Sequence, residues 1–343
     1  ALGTAREIAR QLGLWSNMDN KDVILQGSEL EFLTDDELTS RLQQVKIVSR
    51  ARPNDKERIV RLLRQMGHVV AVTGDGTNDA PALNAANIGL SMGDGTAVAK
   101  EASDMTIMDN SFTTISNAVI WGRSLYKNIQ RFILFQLTVN VVACLIVTIG
   151  AFIGTDSPLT VMQMLWVNLI LDTFAALALA SLPPSARTLL DKPRSINEPI
   201  LHGLEKRILG VGTIMTVGLL GLLILFIHMD ITSLVHMKWQ WSESNHLSAY
   251  ESGLFFTIFV MLQYWNLFNA RAFMTQYSAL CGLSWQRTPW FIVITVIILI
   301  GQILIVELPG LQGMFSVARG GLLWSDWLLI VVGTSFVLWI GEI

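Results

Sequence analysis

An eleven-residue stretch in the first third of the chain carries residue types that could bind a divalent metal beside a phosphate. Thr73–Leu83 reads TGDGTNDAPAL, in which Asp75 and Asp79 flank Asn78. Proteins usually hold Mg²⁺ through one or two carboxylates and leave its other positions to water and phosphate oxygens. Asn78 can donate to a phosphate oxygen, and Lys56 could supply positive charge to a transferred phosphoryl group. A helix-capping acidic turn is the alternative, but eleven residues in this order are too specific for it.

A second set of polar residues lies in apolar sequence. Asp172 follows the apolar run that begins at Trp166, and Asn168 stands four residues earlier, on the same face of an α-helix. A carboxylate at membrane depth costs several kcal/mol unless it is paired or solvated, so Asp172 is a candidate functional residue. Other amides in apolar segments are Asn140, Gln263, Asn266 and Asn269.

These side chains offer oxygen ligands without thiolate or imidazole groups, a set that suits a hard cation such as Ca²⁺ rather than Cu⁺ or Zn²⁺. The alternative is interhelical hydrogen bonding, which Asn and Gln commonly provide in membranes. The pattern favours a ligand role for Asp172 and bonding between helices for Gln263 and Asn266. It leaves both roles open for Asn168 and Asn140.

The composition divides the chain into a charged part and an apolar part. Residues 1–131 hold 31 of the 51 Lys, Arg, Asp and Glu residues of the 343-residue chain. A mean hydropathy of +0.49 is too high for an ordinary soluble protein of this size. These values exclude a disordered chain, a collagen-like chain and a disulfide scaffold. Without a long basic cluster, they also argue against a nucleic-acid partner.

The apolar part, residues 132–343, contains six segments long enough to cross a bilayer, for which about 20 apolar residues suffice. An even number of spans places both ends on one side. Lys and Arg are concentrated before the first span and in the loop 183–206, which predicts that the N-terminal domain, this loop and both chain ends are cytoplasmic. The predicted spans are residues 132–154, 159–182, 208–229, 250–268, 291–308 and 322–340.

The charged part alternates amphipathic helices with short β-branched runs, which predicts an α/β doubly wound sheet. The Thr73 turn follows the predicted strand 68–73, at the carboxyl end where open α/β sheets bind ligands. A charged helix over residues 117–131 should run directly into the first span. The other predicted strands are 45–49, 88–91 and 105–108, and the other predicted helices are 1–12, 55–66 and 80–86.

Thr73–Leu83 resembles the hinge motif TGDGxNDAPAL of P-type ATPases. The resemblance continues through Ile88–Gly93 and Gly122–Tyr126 to Trp166–Asp172 and Pro183-Pro184, so that it covers nearly the whole chain. It is strongest to the plasma-membrane type of Ca²⁺-ATPase and its bacterial relatives. The absence of a calmodulin-target helix favours a bacterial relative.

The resemblance implies that residues 1–116 are the second part of a haloacid-dehalogenase-like phosphorylation domain. It assigns Mg²⁺ binding to Asp75, and contacts that order the phosphorylation site to Asn78 and Asp79. Lys56 would touch the phosphoryl group, and Thr73 and Gly74 would belong to the cofactor-binding turn.

For the membrane part, the resemblance implies that Asn168 and Asp172 are Ca²⁺ ligands. Ala143 and Leu171 stand where two-calcium pumps have a glutamate and a threonine, which implies a single Ca²⁺ per cycle. Asn140 is positionally equivalent to a ligand of the lost site and remains a further Ca²⁺ candidate. One acidic group facing a cavity also suggests H⁺ counter-transport.

The chain shows neither the DKTGT segment of the phosphorylated aspartate nor the TGES segment of the actuator domain. We therefore expect it to be the C-terminal portion of an ATP-driven Ca²⁺ export pump of the plasma membrane, with the nucleotide domain for ATP elsewhere. Alone it should neither phosphorylate itself nor transport. The alternatives are a pump for another cation, or a non-pumping membrane protein with a regulatory phosphatase-like domain.

Overall fold

A computed structural model describes residues 2–16, 23–192, 194–195, 197–238, 246–275 and 277–340. It divides into two compact units, each described here by itself. The N-terminal unit comprises residues up to Ile120 together with Arg187–Glu198, and the helical unit comprises Trp121–Ala186 together with residues from Pro199 onward.

The N-terminal unit contains two parallel sheets. In one, β1 (Ile24–Gln26) pairs with β2 (Ile47–Ser49). In the other, the order is β3 (Ala71–Gly74), β4 (Ile88–Met92) and β5 (Met105–Ile107). The helices of this unit are α1 (Leu2–Gln11), α2 (Gly27–Leu30), α3 (Asp35–Leu42), α4 (Pro53–Gln65), α5 (Ala80–Ala85) and α6 (Ala97–Glu101).

Local sequence explains the elements that hold the Thr73 turn. Pro53 opens α4, where its missing N–H costs nothing, and the Asp55 carboxylate accepts from Arg52 N at 2.9 Å. Between β3 and β4 the chain passes through α5, as parallel strands require a crossover. The helices α4 and α5 pack together, so the start of α4 lies beside the turn that precedes α5.

The sequence located four of the strands and three of the helices in this unit, with ends that differ by a few residues. It missed β1, α2, α3 and α6, which are short elements. The helix α3 carries a capping box, in which Thr34 N donates to Glu37 Oε2 at 2.9 Å and Glu37 N to Thr34 Oγ1 at 3.4 Å. Residues 1 and 17–22 of the predicted domain lie outside the described residues.

The helical unit is built mainly from long apolar helices. A single helix of 42 residues, α7 (Phe112–Ile153), covers both the predicted charged helix and the first predicted span. Two short strands, β6 (Asp230–Ile231) and β7 (Met237–Lys238), form a hairpin. The other helices are α8 (Val161–Leu165), α9 (Asp172–Ala180), α10 (Glu205–His228), α11 (Ala249–Ala272), α12 (Pro289–Glu307), α13 (Pro309–Gln312), α14 (Trp324–Thr334) and α15 (Val337–Ile340).

Among the described residues, four helical segments are long and apolar enough to cross a membrane: Phe112–Ile153, Val161–Ala180, Glu205–His228 and Pro289–Glu307. The fourth predicted span is the 24-residue helix α11, which is buried around most of its circumference. It is contacted by α10, α12, α14 and α15, and this burial among helices agrees with its lower hydropathy. The sixth predicted span is broken into α14 and α15, and residues 341–343 lie outside the described residues.

Candidate functional site

The Asp79 carboxylate organises the turn that follows β3. It belongs to a short 3₁₀ helix, Thr77–Asp79, placed directly before α5. Its Oδ1 accepts from Lys56 Nζ at 2.6 Å, and its Oδ2 accepts from the backbone N of Asp75 and of Gly76, each at 3.4 Å. The Asp79 side chain therefore holds the backbone of Asp75 and Gly76 in a turn and keeps Lys56 beside that turn.

Gly74 makes this close approach feasible. A Cβ added at Gly74 would lie 2.4 Å from Asp79 Cβ, a separation that no real side chain tolerates. At Gly76 the nearest heavy atom to an added Cβ is 3.8 Å away, an ordinary contact. The first glycine of the motif is therefore needed for packing against Asp79, and the second is not.

Lys56 also determines the charge state of Asp79. Burial of the Asp79 carboxyl raises its pKa, but the hydrogen bond and charge of Lys56 and the backbone N–H groups of Gly76 and Asp75 outweigh burial and hold the pKa below its ordinary value. Asp79 is thus ionised at neutral pH. Separate roles were predicted for these two residues from the sequence, and their direct ion pair was not predicted.

Thr73, Asp75 and Asn78 have exposed side chains, and Gly74 is buried. The backbone O of Asp75 accepts from Thr96 N at 2.8 Å, which fixes the turn to the residue that caps α6. In the part of the chain that the structure describes, no three His, Cys, Asp or Glu side chains converge to hold a metal ion. Asp75 and Asp79 are acceptable Mg²⁺ ligands by type, and water and phosphate oxygens would have to complete the shell.

Asp172 occupies a distinctive place in the helical unit. It is 4% exposed, and its Oδ1 makes no hydrogen bond to any described residue. It is the first residue of α9 and directly follows a π-helical segment, Trp166–Leu171. The N–H of Asp172 donates to the carbonyl of Val167, five residues earlier. Single π-helical turns within α-helices occur frequently at functional sites.

The π-helical turn changes the geometry expected for Asn168. The sequence placed Asn168 and Asp172 on one face of a regular α-helix, but Asn168 lies inside the π-helical segment and is exposed, whereas Asp172 is buried. The two side chains therefore differ in environment in this structure. Periodicity alone could not predict this, because a π-helical turn has no simple sequence signature.

The helix α12 packs closely against the π-helical segment. A Cβ at Gly301 would lie 2.7 Å from Trp166 Cη2, so only glycine admits the indole there. The next residue, Gln302, is fully buried, and neither of its carboxamide atoms bonds to any part of the chain that is described. Sequence analysis overlooked Gln302, although a lone glutamine in the apolar span 291–308 was a usable signal.

The remaining amide candidates differ in the contacts that their side chains make. Asn269 Nδ2 donates to Val337 O at 2.7 Å, which is a bond between helices. Gln263 is fully buried, with a weak contact from Nε2 to Met215 Sδ at 3.8 Å and with Oε1 unbonded within the described residues. Asn140 is half-buried on α7. Asn266 is 6% exposed and lines a small cavity with Leu134, Thr138, Arg207, Val211, Asn269 and Ala270.

Comparison with known proteins agrees with both units. Residues 156–343, more than half of the chain, match the model of the family described as cation transporting ATPase, C-terminus. The chain belongs to this family. Residues 57–119 match the haloacid dehalogenase-like hydrolase model, a segment that includes Asp75, Asn78 and Asp79 and begins just after Lys56.

The relatives of this ATPase chain are named as calcium transporters. It is 40% identical over 340 residues to calcium-transporting ATPase 5, plasma membrane-type, of Oryza sativa subsp. japonica, covering 98% of the chain and 30% of that protein. It is 41% identical over 339 residues to calcium-transporting ATPase 8, plasma membrane-type, of Arabidopsis thaliana, with the same coverages. Calcium-transporting ATPase 2 of Cryptococcus neoformans is 40% identical over 345 residues, or 99% of the chain and 23% of that protein.

The chain thus corresponds to the C-terminal portion of P-type calcium-transporting ATPases and spans about 30% of the length of the first two relatives. Its haloacid-dehalogenase-like segment and its four long apolar helical segments support the expected α/β domain and an integral membrane protein, whereas the expected count of six membrane helices is not confirmed among the described residues.

Proposed function

We propose that this chain is the rear part of an ATP-driven Ca²⁺ export pump that works through an aspartyl-phosphate intermediate. The observation that carries the proposal is the alignment with calcium-transporting ATPases over 98% of the chain, since it spans both the Thr73 turn and the Asp172 segment. The names of these relatives favour Ca²⁺ over another cation. They also favour a pump over a regulatory membrane protein.

In the N-terminal unit, the chain supplies charge and order to phosphoryl transfer. Asp75 would hold Mg²⁺, which offsets the negative charge of a phosphoryl group when it is bound, and Asp79 would keep the turn beside it in order. Lys56 Nζ, held 2.6 Å from Asp79 Oδ1, brings a cation to the same turn. Asn78, exposed on the turn, is available to donate to a phosphate oxygen. The phosphorylated aspartate and the ATP-binding domain would come from another part of the pump.

In the helical unit, Asp172 binds the transported Ca²⁺ in its ionised form. Its buried and unbonded Oδ1 supports this role, because an unpaired carboxylate in apolar surroundings is costly until a cation meets it. Asn168 and Asn140 are proposed as further oxygen ligands, and the exposed Asn168 would have to turn inward when Ca²⁺ binds. With Ala143 and Leu171 in place of ligands, one Ca²⁺ would move per ATP.

The proposed topology has six spans, with the N-terminal unit and both chain ends in the cytoplasm of a plasma-membrane protein. The helix α11 and the pair α14 and α15 would be the fourth and sixth spans beside the four apolar helical segments. At 24 residues, α11 is long enough to cross a bilayer. Its predominantly buried surface agrees with a central position among the helices.

The test is uptake of ⁴⁵Ca²⁺ by inside-out vesicles that carry the full-length protein. We expect ATP-dependent uptake, absent from the Asp172→Asn variant, with one Ca²⁺ moved per ATP hydrolysed. A vesicle preparation that hydrolyses ATP but accumulates no Ca²⁺ would exclude the pump. Two Ca²⁺ ions moved per ATP hydrolysed would refute the single site.

Proton counter-transport is checked with a pH dye in the vesicle lumen, and an unchanged luminal pH during uptake would exclude it.

A further inference from the structure

Two polar side chains of α7 connect that helix with the ends of α9 and α11. Arg131 and Asn128, on α7, are 9% and 5% exposed. Arg131 Nη1 donates to Asn128 Oδ1 at 2.7 Å, and Arg131 Nε donates to Phe273 O at 3.0 Å. Asn128 Nδ2 donates to Leu182 O at 3.1 Å. Leu182 lies just beyond the end of α9, and Phe273 caps the end of α11.

The two acceptors are well suited to these donors. The last carbonyls of a helix have no partner within the helix, and a cation near them is favoured by the helix dipole. At the end of α11, the Arg131 guanidinium therefore supplies both a hydrogen-bond donor and a positive charge. Because its donors are fixed in a planar fork, Arg131 can serve Asn128 and Phe273 at once with less loss of side-chain freedom than a lysine.

The connected helices carry the residues proposed to handle the cation. Asp172 opens α9, whose far end is bonded to Asn128 through Leu182. Asn140, proposed as a further ligand, lies on α7 itself. A fourth helix reaches the same place, because the Arg207 guanidinium of α10 lies 5.3 Å from the centre of the Phe273 ring.

We propose that Arg131 and Asn128 are positioning residues that hold α9 and α11 in register with α7, so that a displacement of α7 reaches the Ca²⁺ site. This inference rests on the proposed function. Neither residue touches the cation. They act by joining helices that would otherwise respond to α7 separately.

Arg271 provides a matched control. It is 8% exposed, nearly as buried as Arg131, and its Nη2 donates to Ala279 O and Cys281 O, each at 2.9 Å. Those carbonyls belong to the loop that follows its own helix. Replacing Arg271 thus removes an equally buried guanidinium with two carbonyl bonds, but it breaks no bond between α7, α9 and α11.

The experiment compares Arg131→Gln, Arg131→Lys, Asn128→Leu and Arg271→Gln in the full-length protein. We expect Arg131→Gln and Asn128→Leu to raise the Ca²⁺ concentration for half-maximal ATP hydrolysis by about 2- to 30-fold and to lower the Ca²⁺ moved per ATP. Arg131→Lys should recover part of the loss. The double variant should cost less than the sum of the two single effects, since both residues serve one connection. Arg271→Gln should change thermal stability by a similar amount and leave Ca²⁺ dependence near wild type.

A second measurement does not depend on transport. Backbone hydrogen exchange at residues 181, 182 and 185 and at 273–275 should accelerate in Arg131→Gln, and exchange at 279–281 should accelerate in Arg271→Gln. Equal effects of the two variants on Ca²⁺ dependence would overturn the positioning role, as would unchanged exchange at both helix ends in Arg131→Gln. If the wild-type protein moves no Ca²⁺ with ATP, the proposed function fails and this inference fails with it. Changed exchange would then show only a structural connection.

Discussion

Asp79 in the N-terminal unit and Asp172 in the helical unit are both carboxylates withdrawn from solvent, yet their oxygens are bonded in opposite ways. The Asp79 side chain is 15% exposed and receives a lysine and two backbone N–H groups. Asp172 is 4% exposed, and its Oδ1 has no donor among the described residues. One carboxylate has its partners within the fold, and the other has an oxygen left for something that binds.

The difference follows from the surroundings of each group. A turn at the end of a parallel sheet offers free backbone N–H groups, and a nearby helix start can bring a lysine. A membrane helix uses its backbone N–H groups for its own hydrogen bonds and leaves few donors for a side chain. An unpaired carboxylate there therefore costs free energy. The contrast indicates that Asp79 maintains the shape and charge of its turn. Asp172, in contrast, is available to a transported cation.

The strongest test of this contrast is Asp172→Asn in the full-length protein. The change keeps the shape of the side chain and removes its charge, so Ca²⁺-dependent phosphorylation by ATP should be lost. The loss of Ca²⁺ affinity should exceed the ~10- to 100-fold that is typical when a residue hydrogen-bonded to a metal ligand is changed. Thermal stability without Ca²⁺ should stay the same or rise, because an unpaired buried carboxylate has gone. Retained Ca²⁺ dependence would remove Asp172 from the site.

The next largest effect is expected from Asp75→Asn. Asp75 is exposed on its turn and forms its observed bonds through backbone atoms, so the fold should tolerate the change. Removing a carboxylate that would hold Mg²⁺ should lower turnover by roughly 100-fold or more. Ca²⁺ binding, measured with ⁴⁵Ca²⁺ in the absence of ATP, should survive. Simultaneous loss of Ca²⁺ binding would show that the two regions are less independent than the contrast implies.

Much of the fold could be predicted because its signals are local. The β-branched run that precedes Gly74 predicted β3, Pro53 marked the start of α4, and uninterrupted apolar runs located four helical spans. The short elements β1 and α6 were missed because a strand of three residues or a helix of five depends on its neighbours more than on its own pattern.

The candidate sites were less predictable. Motif order singled out Lys56 and Asp79, but only the packing of α4 against α5 brings the two side chains to 2.6 Å. The π-helical turn before Asp172 changes the backbone register without altering the hydrophobic pattern, so Asn168 was expected to share the surroundings of Asp172. The low hydropathy of α11 also has a tertiary cause, because its neighbours are other helices.

A pair of glycine variants tests whether Asp79 maintains the turn. In Gly74→Ala the new Cβ would lie 2.4 Å from Asp79 Cβ, so the turn must move, at a cost of about 1–3 kcal/mol of stability. In Gly76→Ala the nearest heavy atom is 3.8 Å away and the backbone has φ −111°, so little should change. Thermal unfolding and phosphorylation by ATP of the two full-length variants would be compared. Equal behaviour would show that the turn adjusts freely around Asp79.

The smallest stability effect is expected from Lys56→Met, and its size depends on pH. Lys56 is 42% exposed, so solvent screens the ion pair, and its loss should cost below about 1 kcal/mol at pH 7. The lowered pKa of Asp79 means that the pair stabilises the fold above the pKa of an unfolded aspartate, about 4, and that this stabilisation is lost as pH falls through the folded pKa. Without Lys56, burial raises the pKa of Asp79 against the backbone N–H groups of Gly76 and Asp75 alone.

The stability difference between wild type and Lys56→Met should therefore be largest near neutral pH and shrink below about pH 4, as thermal unfolding of the full-length protein would show. The exposed Lys100, at the end of α6, provides the control, since Lys100→Met should give no such pH dependence. A difference that stays constant from pH 7 to about pH 3 would mean that Lys56 acts through packing of its methylene chain. Asp79 would then owe its place in the turn to the backbone N–H groups of Asp75 and Gly76 alone.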